Sequence, residues 1–299
     1  MTGQRSLYVA LIIATFAVSW AAILIRLCGA GPLPTAFYRM AMASAILAIP
    51  AIPKLKQAFK ALSWHQIILL IISGIFLGLH FASWITSLFH TTISNSAVLV
   101  ATSPVFVIAL EALFLKDKIP AKSIIGIAVA LAGIVTVSAG DFDLSTVFIK
   151  GDLLALAGAA CAGVYLFAGR KLRPKMDILS YIFVVYSIAA LTLLAFNIIY
   201  DTNLTDYPLN TWLIFLLLAI VPTVVGHSLY NWLLKFIPAH RVATTTLGEP
   251  IGASILAIFF FTEIPGWTTI IGGLLILAGI FVVLKRPSKL SSDNIPEQS

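Results

Sequence analysis

The chain has 299 residues, of which 60% are hydrophobic and only 10% are charged, and its mean hydropathy is +1.02. Water-soluble proteins carry about 25% charged residues, so this composition excludes a soluble globular domain and indicates an all-α polytopic membrane protein. The net charge of +7 is typical of positive loops that orient a membrane protein, and we expect no nucleic-acid partner.

Ten apolar segments follow one another with short links between them. Their approximate bounds are 7–26, 34–52, 67–89, 93–115, 122–139, 151–170, 178–200, 211–234, 241–262 and 267–285. The first is expected to be a retained span, because its apolar run of about 20 residues is longer than the core of a signal peptide. The second is predicted to end at the Pro50–Pro53 pair, and residues 287–299 are predicted to form a disordered cytoplasmic tail.

The positive residues fall mainly on one side of these segments. If the N-terminus is cytoplasmic, sixteen of the nineteen Lys and Arg residues lie in inner segments, whereas Arg26 and Lys150 lie in outer loops and Arg39 lies within a span. This bias supports ten spans and predicts a multi-pass protein of the plasma membrane with both termini in the cytoplasm.

The second half of the chain repeats the first, with a shift of about 146 residues. Equivalent positions are Pro104 and Pro250, Asp117 and Glu263, Gly126 and Gly272, Gly133 and Gly279, His80 and His227, and Trp20 and Tyr165. Since each half has five spans, the second half enters the membrane in the opposite direction. We therefore predict two inverted five-helix repeats, residues 1–140 and 150–286, which is the architecture of many alternating-access transporters.

Five motifs carry a family resemblance. They are YRMAMASAIL at 38–47, SLFHTTISNSAVLVATSPVFVIALEALFLKDKI at 87–119, GDLLALAGAACAGVYLFAGRKL at 151–172, LYNWLLKFIPAHRVATTTLGEPIGASILAIFFFTEI at 229–264 and GGLLILAGIFVV at 272–283. Together they resemble the ten-helix, EamA-type branch of the drug/metabolite transporter (DMT) superfamily over about residues 6–286. This resemblance implies a transporter, often an exporter, of amino acids or other small metabolites, and it leaves the substrate open.

Glu249 is the first candidate for a binding residue, because an ionisable group inside a membrane costs about 2.5–3.5 kcal/mol on insertion scales. It lies in the sequence TTTLGEPIG, where Pro250 frees a backbone carbonyl one turn earlier and Thr244, Thr245 and Thr246 add hydroxyl groups. Glu249 either binds substrate or protons in a polar pocket, or it ties two helices together, and the residues alone leave both roles open.

His80 and His227 form the second candidate pair. Each is predicted to lie in the middle of a span, and each is followed one turn later by polar or aromatic groups on the same helix face: Trp84 after His80, and Tyr230 and Asn231 after His227. Histidine titrates near neutral pH, so either residue is a candidate for coupling protons to transport. The alternative is a pair of histidines held by hydrogen bonds to neighbouring helices.

The predicted substrate-binding residues are completed by two aromatic side chains with a polar group, which suit a cavity for an amphipathic solute. The full set is Trp20, His80, Trp84, Tyr165, His227, Tyr230, Asn231 and Glu249. An alternative role for Trp20 and Tyr165 is anchoring at the membrane interface.

Other residues are given structural or gating roles. Arg39 is expected to extend to the outer interface, and Glu111 is expected to pair with Lys116 or Lys118 or to form an inner gate. The remaining members of this group, which shape or pack helices, are Pro104, Pro250, Gly126, Gly133, Gly272 and Gly279.

The sequence lacks a P-loop, a zinc motif, a Ser-His-Asp set and paired catalytic carboxylates, and Cys28 and Cys161 have no metal-binding or disulfide spacing. We therefore expect no catalytic residue, cofactor or metal. The expected partners are the lipid bilayer and a small-molecule substrate, with protons as an open question, and the expected state is a monomer or loose homodimer. Export of amino acids or related metabolites is favoured; import of a nucleoside, organic cation or sugar phosphate, a passive channel and a membrane-embedded transferase are the alternatives.

Overall fold

The computed structural model describes residues 4–91, 96, 99–115, 119–138, 146–249, 251–252, 255–256, 260 and 267–284. The helices of these residues are α1 (Gln4–Leu27), α2 (Pro32–Lys60), α3 (Trp64–Ser87), α4 (Ser103–Phe114), α5 (Ala121–Ser138), α6 (Thr146–Leu172), α7 (Ile178–Ile199), α8 (Leu209–Leu233), α9 (Ala239–Thr246) and α10 (Trp267–Leu284). Each overlaps one of the ten predicted segments, and the described ranges contain no strand. The predicted all-helical membrane fold is confirmed, while the predicted tail lies outside the described residues.

Six helices, α1, α2, α3, α6, α7 and α8, are long and apolar enough to cross a membrane. Large apolar side chains are exposed on the outer faces of the bundle, among them Ile12, Leu113, Leu191 and Leu274. By contrast, one arginine and four tyrosines are among the largest fully buried side chains. Apolar groups on the outside and polar groups on the inside are what a protein needs when lipid is its solvent.

The helix α2 continues past the proline pair at which it was predicted to end. It runs through Pro50 and Pro53 to Lys60, whereas the prediction placed its end near residue 52. Proline removes a hydrogen bond from the helix ladder, but Leu47, Ala51 and Ala58 keep one face of α2 buried across this stretch. Packing against neighbouring helices therefore outweighs the local cost of the prolines.

The packing of the helices is largely preserved when the two halves are exchanged. Three contacts join equivalent helices, namely α2 with α7, α4 with α9 and α5 with α10. Most of the others occur as exchanged pairs; for example, α3 packs against α6 as α8 packs against α1, and α3 packs against α7 as α8 packs against α2. With five helices in each half, this exchange requires the second half to be an inverted copy of the first.

The helices α5 and α10 cross where the repeat places its glycines. A methyl group added at Gly126 would lie 2.8 Å from the carbonyl oxygen of Gly279, and one added at Gly133 would lie 2.6 Å from that of Gly272. Real Cβ atoms do not approach a carbonyl this closely, so these positions require glycine for the two backbones to touch.

Candidate functional site

Arg39 lies in the centre of the helix bundle, about two turns into α2. Its side chain is 0% exposed, its guanidinium carbon is 4.2 Å from the centroid of the Phe81 ring, and its Nε donates a hydrogen bond of 2.7 Å to Thr223 Oγ1. The predicted extension to the outer interface is therefore wrong. An aromatic face from α3 and a hydroxyl group from α8 hold the cation inside instead.

Thr223 is positioned by an irregular stretch of α8, which is wound as a π-helix over Ala219–His227. Pro222 has no N–H, so it cannot pair with the Leu218 carbonyl as an α-helix would require. That carbonyl accepts a 2.8 Å bond from Thr223 Oγ1 instead, while the Thr223 carbonyl accepts from the Tyr186 hydroxyl at 3.4 Å. π-Helical turns are frequent at functional sites. Sequence reasoning missed Thr223, although the proline in the middle of a span was a usable signal.

His80 and His227 both lie next to the Phe81 ring, which is 4.9 Å from the His80 ring and 5.4 Å from the His227 ring, centroid to centroid. His80 Nδ1 is 2.9 Å from the carbonyl oxygen of Gly158. Because a carbonyl can only accept, Nδ1 carries the hydrogen and Nε2 is left as the free ring nitrogen. The two histidines therefore share an aromatic neighbour, and they interact electrostatically with each other.

The aromatic partners predicted one turn after each histidine are in contact with it. The Trp84 ring is stacked on the His80 ring with 6.0 Å between centroids and 7° between planes, and the Tyr230 ring meets His227 edge-on at 6.3 Å. Tyr230 also connects two helices, because its hydroxyl oxygen is 2.9 Å from Thr15 Oγ1 in α1. The two halves thus supply similar sets of side chains to the same region.

Asn231 is the other polar group of α8 in this region. Its Nδ2 donates to the hydroxyl oxygen of Tyr165 in α6 and, at 2.8 Å, to the carbonyl of His227. Tyr165 and Asn231 are both buried, and the Asn231 Oδ1 has no hydrogen-bond partner in the described part of the chain. The centre therefore contains an unused acceptor as well as cationic donors.

Glu249 lies in the helical turn just beyond α9 and is partly accessible. It interacts electrostatically with Arg39 and with Tyr230. The hydroxyls of the three preceding threonines bond at 2.7–2.8 Å to carbonyls of α9 itself, and the polar pocket expected around Glu249 stays a prediction. Pro250 lies outside the described residues.

Six of the eight predicted binding residues lie in one connected group, formed by His80, Trp84, Tyr165, His227, Tyr230 and Asn231. Glu249 joins this group through its electrostatic interactions. The remaining residue, Trp20, is partly exposed and meets Phe260 edge-on, with 5.4 Å between ring centroids. No group of three or more His, Cys, Asp or Glu residues in the described ranges could hold a metal ion.

Glu111 binds the start of α9. Its Oε1 accepts a 2.8 Å bond from the Ala239 N–H, and its Oε2 is 2.6 Å from His240 Nδ1. Glu111 is fully buried, and a carboxylate at a helix N-terminus is stabilised by the helix dipole. The predicted partners Lys116 and Lys118 lie outside the described residues. His240 was missed, although a proline just before it, Pro238, marks a helix start.

The ten helices named above, arranged in two inverted halves with polar side chains from both halves buried between them, define a membrane protein of the transporter type. The EamA-like transporter family model matches residues 5–139 and 149–285. The chain belongs to this family, and it is a multi-pass membrane transporter of the DMT/EamA type.

Relatives of the chain extend over most of its length. It is 28% identical to an uncharacterized transporter of Archaeoglobus fulgidus, over 96% of this chain and 99% of that protein. It is 26% identical to the pseudopaline exporter CntI of Pseudomonas aeruginosa (85% and 86% covered) and 25% identical to a probable terminal-alkyne amino-acid exporter of Streptantibioticus cattleyicolor (92% of each). A crystal structure with 18% identity superposes with a TM-score of 0.77, over 94% of this chain and 96% of that one, which shows the fold alone.

Proposed function

We propose that this protein exports amino acids or related small metabolites across the plasma membrane by alternating access between its two repeats. The observation that carries the proposal is the polar centre, in which Arg39 of the first repeat and Thr223 of the second are joined inside the bundle. Buried polar groups inside a membrane are costly and typically mark a substrate or ion pathway. Two relatives are named as exporters, and one of these as an amino-acid exporter, which favours this direction and substrate class.

The exchange symmetry of the packing supports alternating access, because two similar halves can exchange conformations at little cost. The Lys and Arg bias favours a cytoplasmic position for both termini, and in this proposal the Glu111–His240 contact lies on that side. In this proposal that contact belongs to the inner gate, and the predicted binding residues line the path. Glu249 and the two histidines are the candidates for proton coupling, and the functional unit is a monomer or loose homodimer.

Counterflow in proteoliposomes tests this function. Vesicles loaded with one unlabelled amino acid should accumulate the same labelled amino acid with saturable kinetics, and a panel of amino acids and small metabolites identifies the substrate. Inside-out and right-side-out vesicles then separate export from import. Folded protein that exchanges none of these solutes, or that shows a conductance without saturation, would overturn the proposal.

Two substitutions test the residues. Glu249→Gln and His80→Ala should change the rate or the pH dependence of counterflow, because each removes a titratable group from the polar centre. Leu113→Ala is a suitable control, since Leu113 is an exposed, lipid-facing side chain. Unchanged transport and unchanged pH dependence in both variants would remove these two residues from the mechanism.

A further inference from the structure

The guanidinium group of Arg39 has more hydrogen-bond donors than the protein uses. Arginine offers five N–H bonds in a planar fork, and here only the Nε–H has a partner, Thr223 Oγ1 at 2.7 Å. Both Nη1 and Nη2 are buried and have no hydrogen-bond partner within the described ranges. A fully buried cation with unused donors is unfavourable unless an acceptor arrives. The centre therefore holds a positive group that is ready to bind an anion.

The free side of this group is held in a fixed orientation. The Phe81 ring lies against one face of the guanidinium plane at 4.2 Å, and Thr223 occupies the Nε edge. Thr223 is itself fixed, since its hydroxyl also donates to the Leu218 carbonyl. The Nη1–Nη2 edge is consequently the one that remains, and its two parallel N–H bonds match the two oxygens of a carboxylate.

The charges around Arg39 favour one class of anion over another. The groups that interact electrostatically with Arg39 come from five other parts of the bundle: His80 of α3, Tyr165 of α6, Tyr186 of α7, His227 of α8, and Glu249. Glu249 is the one acid of this set, and Arg39 is the one permanent cation. The ammonium group of a zwitterion would favour the ionised form of the Glu249 carboxyl group while its carboxylate faces Arg39, whereas a phosphate dianion would be repelled by that ionised form and would meet a single cation.

We propose that Arg39 binds the carboxylate of an amino-acid-type substrate through Nη1 and Nη2, while Glu249 attracts the ammonium group of the same molecule. This rests on the proposed function as a transporter of small metabolites, and it narrows the substrate class to zwitterions with a free carboxylate. Arg39 thereby gains a substrate-binding role in place of the structural one expected from the sequence.

Binding to the purified protein tests the assignment independently of transport. Thermal stabilisation is titrated with the common L-α-amino acids, with their carboxamides, with their N-acetyl derivatives and with inorganic phosphate. At least one amino acid should stabilise the wild-type protein, and its carboxamide should bind about ten- to one-hundred-fold more weakly, since it cannot form the charge-assisted pair. Arg39→Gln should abolish this difference, Arg39→Lys should retain part of it, and Arg26→Gln, at an exposed arginine of α1, should leave it unchanged.

Glu249→Gln should affect recognition of the ammonium group of the ligand. This variant should no longer bind the amino acid more tightly than its N-acetyl derivative, but it should still bind the amino acid more tightly than the carboxamide. Equal binding of acid and amide by the wild-type protein overturns the proposal, even if Arg39→Gln does not fold. Three other results would also overturn the proposal: an unchanged preference of Arg39→Gln for the acid over the amide, tighter binding of phosphate than of any amino acid, and the absence of amino-acid binding. Counterflow of a solute without a carboxylate would reject the proposed role of Arg39 and support the proposed transport function. Amino-acid binding without counterflow would support the role of Arg39 and reject the transport function.

Discussion

Replacing Glu111 with alanine should separate the end of α4 from the start of α9. The Glu111 carboxylate makes two contacts there, one with the Ala239 N–H at 2.8 Å and one with His240 Nδ1 at 2.6 Å. The side chain of Glu111 is 0% exposed and that of His240 is 5% exposed, so water cannot replace either contact without a local rearrangement.

The size of the effect follows from these two contacts. Removing the acceptor of a buried hydrogen bond leaves its donor unsatisfied and costs about 1–3 kcal/mol, so the loss of both contacts should cost about 2–6 kcal/mol. We therefore expect Glu111→Ala to lower the free energy of unfolding by this amount. Glu111→Gln keeps one oxygen for the Ala239 N–H and loses the charge, so its cost should be about 1.5–3 kcal/mol, which is typical of a hydrogen bond to a charged group.

Denaturant unfolding of the detergent-solubilised protein, followed by tryptophan fluorescence, measures these differences. Leu113→Ala is the matched control, since Leu113 lies in the same helix and is 72% exposed. The double variant Glu111→Ala/His240→Ala completes a mutant cycle, and its loss should be smaller than the sum of the single losses because the two residues contact each other. Losses in Glu111→Ala no larger than in the control, or strictly additive losses in the cycle, would refute the assignment of this contact.

Three further outcomes can be measured in the same preparation. Gly133→Leu should cost about 1–3 kcal/mol of stability, because the new side chain meets the α10 backbone, whereas Ala132→Leu on the exposed neighbouring position should cost little. Thr223→Val should weaken amino-acid binding by releasing Arg39, and Thr223→Ser should restore it; equal binding in both would contradict the positioning role. Burial raises the pKa of the Cys28 thiol, so at pH 7 N-ethylmaleimide should modify it at least about tenfold more slowly than a free thiol, with the rate rising as pH rises.

The number of helices and the division of the chain into two equivalent halves could be predicted because both follow from patterns in the sequence itself. Apolar runs of membrane-spanning length can be recognised without knowing how the helices pack, and so can the alternation of loops that are rich and poor in Lys and Arg. The end of α2 was predicted from a local rule, that proline breaks a helix, and this failed because the buried face of α2 continues past Pro50. The rule describes an isolated helix, whereas in the bundle the packing against neighbouring helices determines where α2 ends.

The position of Arg39 could not be predicted for a different reason. An arginine near the start of a span reaches the interface if its helix face points to lipid, and it is buried if that face points to the bundle. Which of the two occurs depends on how α2 is rotated relative to α8. In this protein the rotation brings Arg39 to the Thr223 hydroxyl group, which lies in the π-helical stretch around Pro222. Similarly, the Glu111–His240 contact joins residues on two helices separated by most of the second half, and their encounter depends on the packing of α4 against α9.

The scaffold is symmetric, but its charges are not. The shift that pairs His80 with His227 places Arg39 on Tyr186, and both of these side chains bond to Thr223, one to its hydroxyl and the other to its carbonyl. The cation thus has a neutral counterpart in the second repeat, and Glu249 similarly has a neutral counterpart in the first, Ser103.

One repeat therefore supplies the guanidinium group and the other supplies the carboxyl group, so a zwitterion held by both must touch both halves. Since a ligand can shift a conformational equilibrium only by binding one state better than another, a substrate that bridges the repeats favours the conformation in which Arg39 and Glu249 are the right distance apart. In the proposed transport cycle, the difference in the free energy of substrate binding between the two conformations therefore brings the halves together. A solute with only one of the two charges would bind to one repeat and leave the other unaffected, which is a physical basis for selecting amino acids over simple amines and acids.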